Sequence, residues 1–153
     1  MADAILDRYP KMNGDLLKAG ILLHDIGKIR EYEMNTSITL STTGKLLGHI
    51  FISAEYVKQH APSDMPELLL DELLHLILSH HGQLEFGSPI LPKTPEAISL
   101  ASLDNTSAKI NAAYIAIHET DDDSEFTMYY RHLGTELYRS PYLANIINED
   151  LPF

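Results

Sequence analysis

Apolar residues recur at helical spacing in several stretches of the chain, which predicts an all-α fold. The first such stretch covers residues 15–29, and its apolar positions lie on nearly all sides of the predicted helix. That pattern is typical of a buried central helix. Asn13 or Asp15 is the expected N-cap, and Gly27 is the expected end. The apolar positions are Leu16, Leu17, Ala19, Ile21, Leu22, Leu23 and Ile26.

Two further helices are predicted after residues 31–41, a connection in which the periodicity is lost. The first covers residues 44–58, and His49 lies within a turn of its apolar stripe, so we expect this histidine to be partly shielded from solvent. The next covers residues 67–81, with Ser63 or Asp64 as the expected cap and Pro66 in its first turn. The apolar positions are Leu46, Ile50, Phe51, Ala54 and Val57 in the first helix and Leu69, Leu70, Leu73, Leu74, Ile77 and Leu78 in the second.

A fourth helix is predicted from Thr94-Pro95, a good cap and first-turn pair, to about Glu119. Glycine and proline breaks before it make residues 82–93 a loop. After it, the acidic run Asp121-Asp122-Asp123 is expected to be a solvated turn, because it lacks the alternating ligand spacing of an EF-hand. The stretch from Phe126 to Phe153 is rich in tyrosine but weakly patterned, and we assign it no structure.

Composition limits the classes of protein and of site. The 153 residues fit one domain with an ordinary core, and neither a signal peptide nor a membrane-spanning run is expected. The chain has no cysteine, so a bound metal would be held by nitrogen and oxygen atoms, and we expect a cytoplasmic protein. The formal net charge of -11 is unfavourable for a surface that grips a polyphosphate chain.

His24 and Asp25 are two groups that are costly to bury, and they stand at the end of an apolar helix. A divalent metal ion would remove that cost, because imidazole and carboxylate are both ordinary ligands for a first-row ion. A purely structural interpretation is also available: the pair is a common dipeptide, Gly27 follows a helix end, and Lys28 complements the helix dipole there.

Two later positions have the same pair of interpretations. His80 and His81 precede a glycine at a predicted helix C-terminus, where cationic histidine would complement the dipole. Asp104 lies in the middle of the fourth helix among small and apolar neighbours, where aspartate is a poor helix former. A buried carboxylate needs a partner, which is either a metal or a group such as Asn105, Lys109 or a neighbouring helix.

The candidate ligands lie on separate predicted helices or at their ends, and packed helices can bring such residues to one point. They are His24, Asp25, His49, His80, His81 and Asp104. This set exceeds the needs of one ion, and Asp25 is the natural bridge because a carboxylate can span two ions. Two ions close together would clamp a phosphoryl group for in-line attack. Lys28 would reach the same space and neutralise developing charge, unless it is simply a solvent-facing helix end.

These motifs resemble the HD-domain superfamily of metal-dependent phosphohydrolases. More narrowly, they look like the HD domain of the YhaM-type 3′→5′ exoribonucleases, and the histidine pair with the glycine-serine-proline that follows is the most specific part. The matching segments are Leu22 to Lys28, Leu46 to Ile50, Ser79 to Pro89 and Leu103 to Asn105, within a likeness that runs from about Ile5 to about Ile117. The resemblance implies a helical bundle of about five to six helices over residues 1–125, with residues 126–153 as a C-terminal extension.

The resemblance also implies cofactors, partners and roles. The metal would be Mn²⁺ in one or two ions, with Mg²⁺, Fe²⁺, Co²⁺ or Zn²⁺ as alternatives. The implied metal ligands are His24, Asp25, His49, His80, His81 and Asp104. Asp25 and Lys28 would be catalytic, and Lys28 would contact the phosphate. The substrate would be single-stranded RNA, cleaved to nucleoside 5′-monophosphates, no membrane partner is implied, and a homo-oligomer is compatible with the sequence.

The sequence departs from the family pattern in two ways. The OB-type nucleic-acid-binding domain of these exoribonucleases is missing, so we expect the strand-binding surface to lie outside this chain, which would account for its acidity. The superfamily's first metal-binding histidine precedes the segment that resembles residues 5–17, whereas no histidine occurs here before His24. We therefore expect a fragment or a truncated relative.

Three functions are compatible with these features. The first is the catalytic HD domain of a 3′→5′ exoribonuclease. The second is an HD nucleotidase that acts on free nucleotides, which needs no strand-binding surface and therefore suits the net charge of -11. The third is a non-catalytic domain that binds metal or nucleotide, which the missing first histidine favours.

Overall fold

Six α-helices and one two-stranded sheet occur in the part of the chain that the structure, a computed structural model, describes: residues 1–34, 36–119 and 124–142. The helices are α1 Ala2–Arg8, α2 Gly14–Leu23, α3 Lys28–Glu31, α4 Thr42–His60, α5 Glu67–Ser79 and α6 Pro95–His118, and the strands are β1 Tyr32–Met34 and β2 Ile38–Leu40. The chain divides into two compact units, Met1–Asp104 and Asn105–Phe153, and α6 begins in the first. The predicted helical fold is confirmed, apart from the short sheet.

The core of the first unit joins α2, α5 and the start of α6. Leu17 of α2, Leu76 and Ile77 of α5 and Leu100 of α6 are fully buried. Full burial of one such side chain stabilises a protein by roughly 1.5–3 kcal/mol. These contacts hold together the three helices that carry His24, His80 and Asp104, or that end just before them.

The central helix is shorter than predicted, because α2 ends at Leu23 and residues 24–27 form turns. The amide of Gly27 donates a hydrogen bond to Ser53 Oγ at 2.8 Å, so it does not continue the helical pattern. The prediction of burial on nearly all sides was also wrong, since Leu22 is 78% exposed. Asn13 is the N-cap, and its side chain accepts a hydrogen bond from the Leu16 amide at 3.1 Å.

The connection after α3 is an antiparallel hairpin that pairs residues 32–34 with residues 38–40. It returns the chain to α3, where the Ser41 amide donates to the carbonyl oxygen of Glu31 at 2.8 Å. The Ser41 hydroxyl then caps α4 by accepting from the Gly44 amide. The sequence predicted only a connection here, because strands of three residues are too short to show a clear alternation.

The apolar stripe predicted for α4 was wrong in its first half. Leu46 is 77% exposed and Phe51 is 50% exposed, whereas Ile52 and Val57 are buried. The reason is Gly48, which has φ +69° and ψ 155° and interrupts the helix. Leu46, before this kink, does not share a helical face with the residues after it, so a stripe counted through Gly48 fails there. Phe51 lies after the kink, and in that segment the neighbouring Ile52 is buried instead.

The N-terminus of α5 also differs from its prediction. Pro66, rather than Ser63 or Asp64, occupies the N-cap position, and no side chain of the described residues caps the helix. The Pro66 carbonyl accepts from the Leu70 amide to start the first turn. At the other end α5 stops at Ser79, so the histidine pair follows the helix instead of finishing it. Leu73 and Ile77 are buried as predicted.

The cap predicted for α6 is confirmed, since Thr94 Oγ1 accepts from the Ala97 amide at 3.1 Å. The loop before it, predicted at residues 82–93, contains one short 3-10 helix, Leu84–Phe86. No helix in the described part of the chain has the length and apolar character needed to cross a bilayer.

The described part of the tyrosine-rich stretch, residues 126–142, contains two isolated antiparallel bridges. Phe126 pairs with Tyr138, and Tyr130 pairs with Thr135. The acidic run at residues 121–123 and the last residues, 143–153, lie outside the described residues. The predicted boundary between residues 125 and 126 therefore stays a prediction.

Asn13→Ala is expected to lower the free energy of unfolding by about 1 kcal/mol, because the Leu16 amide would lose its side-chain acceptor at the start of α2. Asn13→Ser keeps a short side-chain oxygen and is the matched control. Urea unfolding of the metal-free protein, followed by circular dichroism, measures both. Equal losses in the two variants would show that the cap does not stabilise α2.

Candidate metal centre

Five of the six candidate ligands lie at the ends of helices or at one kink, and Asp104 lies within a helix. His24 is the C-cap of α2, and Asp25 lies in the turn that follows. His80 is the C-cap of α5 and is followed by His81. Asp104 lies within α6, one helical turn after the buried Leu100 and Ala101. Ends and turns suit this purpose because their side chains can converge without disturbing the packed faces.

Close packing of α3 against α4 positions the His24-Asp25 turn. A Cβ atom at Gly27 would lie 2.6 Å from Ser53 N and 2.7 Å from Ser53 Oγ, and it would also meet the His49 carbonyl oxygen. Only glycine fits so near another backbone. The turn therefore lies directly against the start of the second half of α4, which carries His49.

Gly48 sets the direction of His49. Its φ of +69° with ψ of 155° is a conformation that residues with a side chain rarely adopt. The kink restarts the helix at His49, so this histidine occupies a first-turn position instead of the middle of a straight helix. The sequence pattern gave His49 as a partly shielded residue, which is confirmed, but it did not reveal the kink.

Asp25 lies at the centre of the cluster. Its Oδ1 is 3.5 Å from His49 Nε2 and 3.8 Å from His80 Nε2. Its Oδ2 is 3.4 Å from His24 Nε2. The two oxygens of one carboxylate thus face different imidazoles, which is the arrangement expected of a residue that spans two ions.

Two groups of side chains have the spacing of a metal site. One ligand atom from each of His49, His80 and His81 lies within 4.8 Å of the other two, and the same holds for His24, His80 and Asp104. His80 belongs to both groups. His24 Nε2 is also 3.7 Å from Asp104 Oδ1. The structure therefore brings all six predicted ligands to one place.

The donor atoms fit a divalent cation. Asp25 Oδ1 and His49 Nε2 are buried, lie 3.5 Å apart and make no hydrogen bond within the described residues. Buried polar atoms without a partner are costly in a protein interior. A carboxylate oxygen and an imidazole nitrogen are lone-pair donors, so a cation between them would satisfy both at once.

Each of the four histidines is fixed through its Nδ1 atom, which lies within hydrogen-bond distance of an oxygen that can only accept. The partners are the carbonyl oxygens of Ile21 for His24, Ile77 for His80 and Phe86 for His81, and the carboxylate Oε1 of Glu31 for His49. Nδ1 must then carry the hydrogen, and the lone pair of a neutral ring is at Nε2. Metal-binding histidines are commonly held in this way.

His80 and His24 differ in charge in the metal-free cluster. Burial lowers the pKa of His80 to about 4, so this ring is neutral at pH 7 and able to bind metal. Burial also disfavours the charged form of His24, but hydrogen bonds to Asp104 and Asp25 outweigh it and raise the pKa to about 10. Without a metal, His24 is therefore a cation. The interpretation of His80 as a charged complement to the helix dipole is not supported.

The carboxylates of Asp25 and Asp104 and the ammonium group of Lys28 also carry charge in this cluster. Despite burial, hydrogen bonds to His24 and Lys28 hold the pKa of Asp25 well below its usual range, and the hydrogen bond to His24 lowers the pKa of Asp104. Lys28 Nζ lies 2.6 Å from Asp25 Oδ2, and its side chain is 47% exposed. Lys28 is therefore more than a solvent-facing helix end, because its charge lies against Asp25.

A family described as HD domain matches residues 1–109. The chain belongs to the HD-domain family. The resemblance and the helical fold predicted from the sequence are thereby confirmed. Members of this family bind divalent metals, in agreement with the donor set described above.

Several relatives of this HD domain are named 3′-5′ exoribonuclease YhaM. The proteins of Bacillus licheniformis and Bacillus subtilis are each 45% identical over 114 residues, which cover 72% of this chain and 36% of the relative. The protein of a Geobacillus species is 35% identical over 153 residues, 98% of this chain and 46% of the relative. The chain thus spans between a third and a half of the length of these relatives. No solved structure matches.

Sequence reasoning missed two residues that build the centre. Ser53 is fully buried, and its hydroxyl oxygen accepts a hydrogen bond from the Gly27 amide. Glu31 is also buried, and it contacts His49. Ser53 falls among apolar residues and gives no signal of its own. Glu31 falls where helical periodicity is lost, so its burial could not be read from the pattern.

Metal affinity is expected to rise by up to tenfold per pH unit between pH 6.5 and 8.5. His24 carries a proton in the metal-free HD domain below its pKa of about 10 and must lose it to bind an ion, so binding releases one proton. Calorimetric Mn²⁺ titrations in two buffers of different ionisation enthalpy measure that proton. An affinity that does not change with pH would exclude His24 as a ligand.

Asp25→Ala is expected to abolish stoichiometric Mn²⁺ binding, because both carboxylate oxygens that face the imidazoles disappear. Asp71→Ala removes an exposed aspartate from α5 and is the matched control, with unchanged binding expected. Metal content after gel filtration, together with calorimetry, measures both. Full Mn²⁺ content in Asp25→Ala would contradict the central position of this residue.

Proposed function

We propose that this chain is the catalytic HD domain of a 3′→5′ exoribonuclease that hydrolyses phosphodiester bonds with divalent metal, Mn²⁺ being favoured. The observation that carries the proposal is a pair of buried atoms with free lone pairs, Asp25 Oδ1 and His49 Nε2, which have no hydrogen-bond partner among the described residues and lie among three further fixed imidazoles. Relatives that are 35–47% identical to this chain are named 3′-5′ exoribonuclease YhaM, which supports the reaction.

The residues divide between two positions for metal. His49 and His81 would hold one ion, His24 and Asp104 would hold a second, and His80 lies within reach of either, with Asp25 between the two groups. When bound, such ions lower the pKa of water and offset charge on a phosphoryl group. Catalysis of phosphoryl transfer consists largely of positioning and of charge stabilisation, which this centre can supply.

The chain's own residues prepare the site for an anionic substrate. His80 is neutral, and its Nδ1 is held by the Ile77 carbonyl at 2.6 Å, so the ring keeps one orientation. Lys28 is partly exposed and contacts the same Asp25 oxygen that faces His24. We propose that Lys28 exchanges this contact for a phosphate oxygen and stabilises the negative charge that develops there. Asp25 and Lys28 are thus the proposed catalytic residues.

The acidic composition bears on the substrate. A net charge of -11 weakens the attraction for a phosphodiester strand, since strand binding depends mainly on basic side chains. We therefore propose that the chain cleaves RNA with a high KM. The same observation favours an HD nucleotidase acting on free nucleotides as the second candidate, because a single nucleotide needs no extended basic surface.

Incubation with a 5′-labelled single-stranded RNA and Mn²⁺ is expected to give a ladder of shortened RNAs that keep the label, with release of nucleoside 5′-monophosphates. Denaturing gels and chromatography measure the two products. A deoxynucleoside triphosphate is tested in parallel, and Asp25→Ala is the inactive control.

Each other outcome contradicts the proposal in a distinct way. Turnover of the free nucleotide alone would make the chain a nucleotidase. Loss of the 5′ label as a mononucleotide at the first step would reverse the polarity. Stoichiometric Mn²⁺ binding with no turnover of either substrate would make it a non-catalytic metal-binding module.

A further inference from the structure

Glu31 is a charged residue in an unusual position. It is only 6% exposed, although glutamate is rarely buried without a partner. Its Oε1 accepts two hydrogen bonds from one residue, the amide of His49 at 2.8 Å and His49 Nδ1 at 3.1 Å. The carboxylate is therefore bound to the backbone and to the ring of the same candidate metal ligand.

The kink in α4 explains the first of these bonds. Gly48 interrupts the helix, so the segment that restarts at His49 has first-turn amides that need acceptors from outside. Glu31 supplies one from α3, in the way that a capping side chain does. The restarted helix is thus fixed at the residue whose ring must be aimed.

The second bond sets the tautomer. A carboxylate can only accept, so His49 Nδ1 must carry the hydrogen and Nε2 must carry the lone pair. Nε2 is the atom that lies 3.5 Å from Asp25 Oδ1. The histidines at positions 24, 80 and 81 are fixed by backbone carbonyls, so Glu31 is the side chain that performs this task within the cluster.

The backbone of Glu31 is itself held on both sides. Its amide donates to the Gly27 carbonyl at 3.0 Å, and its carbonyl accepts from the Ser41 amide at 2.8 Å. Ser41 also donates its hydroxyl hydrogen to the Arg30 carbonyl. The hairpin after α3 therefore closes on Glu31 and leaves its carboxylate little freedom to leave His49.

We propose that Glu31 is a positioning residue of the metal centre, which holds His49 in the Nδ1–H tautomer and presents Nε2 to the cation. Glu31 is buried, so no contact with substrate is assigned to it. It acts through His49, both by orientation and by making the imidazole a better donor. The inference rests on the proposed metal site, but its consequence for His49 is present in the protein without metal and without substrate.

Two variants separate hydrogen bonding from charge. Glu31→Met removes both acceptor and charge, so we expect Mn²⁺ affinity to fall about 10- to 100-fold. Glu31→Gln keeps an oxygen that can accept from Nδ1 but loses the charge, so a smaller decrease is expected. Glu55→Met is the matched control: Glu55 lies on α4 beside Arg30 of α3, at 3.8 Å, and its loss should leave affinity unchanged.

Nitrogen-15 NMR of the metal-free protein provides the second readout. In the wild type and in Glu31→Gln we expect His49 to show a protonated Nδ1 and an unprotonated Nε2 at pH 8. In Glu31→Met we expect a mixture of the two tautomers. If Glu31→Met does not fold, as judged by circular dichroism, Glu31→Gln alone still tests the proposal through its reduced affinity.

The outcomes distinguish this proposal from the proposed function. Wild-type affinity in both variants, or reduced affinity with an unchanged His49 tautomer in Glu31→Met, would overturn the positioning role. A shifted tautomer with weaker Mn²⁺ binding supports it even if the chain cleaves no RNA, in which case only the proposed exoribonuclease activity fails.

Discussion

The first unit depends on keeping several lone pairs aimed at one small, shielded volume. Four imidazoles are tied back through Nδ1, and two aspartates approach the same place. In water, free imidazoles and carboxylates would separate, and each would be hydrated individually. Hydrogen bonds to Nδ1, on the side of each ring that faces away from the centre, keep the cluster together. The surrounding protein thus stabilises an arrangement that is unfavourable by itself.

Charge balance shows how the centre persists before a metal arrives. Protonated His24 and Lys28 lie against Asp25 and Asp104, so two positive charges offset two negative ones. Among the described residues, neither Asp25 Oδ1 nor His49 Nε2 makes a hydrogen bond. The four charges therefore cancel, but these two atoms stay unsatisfied, which is where a cation gains most.

Helix packing in the first unit positions these ligands. Leucines in the core fix α2 against α5, which brings His24 near His80. The absence of a side chain at Gly27 lets the following turn lie against α4, and the φ of +69° at Gly48 restarts that helix in a new direction. Two glycines thus determine the position of the ligands as much as the ligands' own side chains do.

The sequence allowed four of the six described helices, the N-caps of α2 and α6 and the six candidate ligands to be proposed, because these depend on local patterns and on residue chemistry; the short helices α1 and α3 gave no such pattern. The stripe of α4 could not be predicted, since counting through Gly48 assumes a straight helix. The end of α5 was placed two residues too late, which is the usual uncertainty of a helix end. The end of α2 was also placed too late, because the Gly27 amide bonds to a residue 26 positions away. Glu31 escaped notice for a related reason: its burial arises from a hairpin that folds Ser41 back onto it.

The sharing of His80 between the two groups has a consequence for stoichiometry. An imidazole nitrogen has a single lone pair, so this ring can serve only one ion at a time. Under the proposed two-ion arrangement, the second equivalent of metal would find a poorer ligand set than the first and would depend more on Asp25, which has two oxygens to offer. The two equivalents would therefore bind in sequence, the first more tightly than the second.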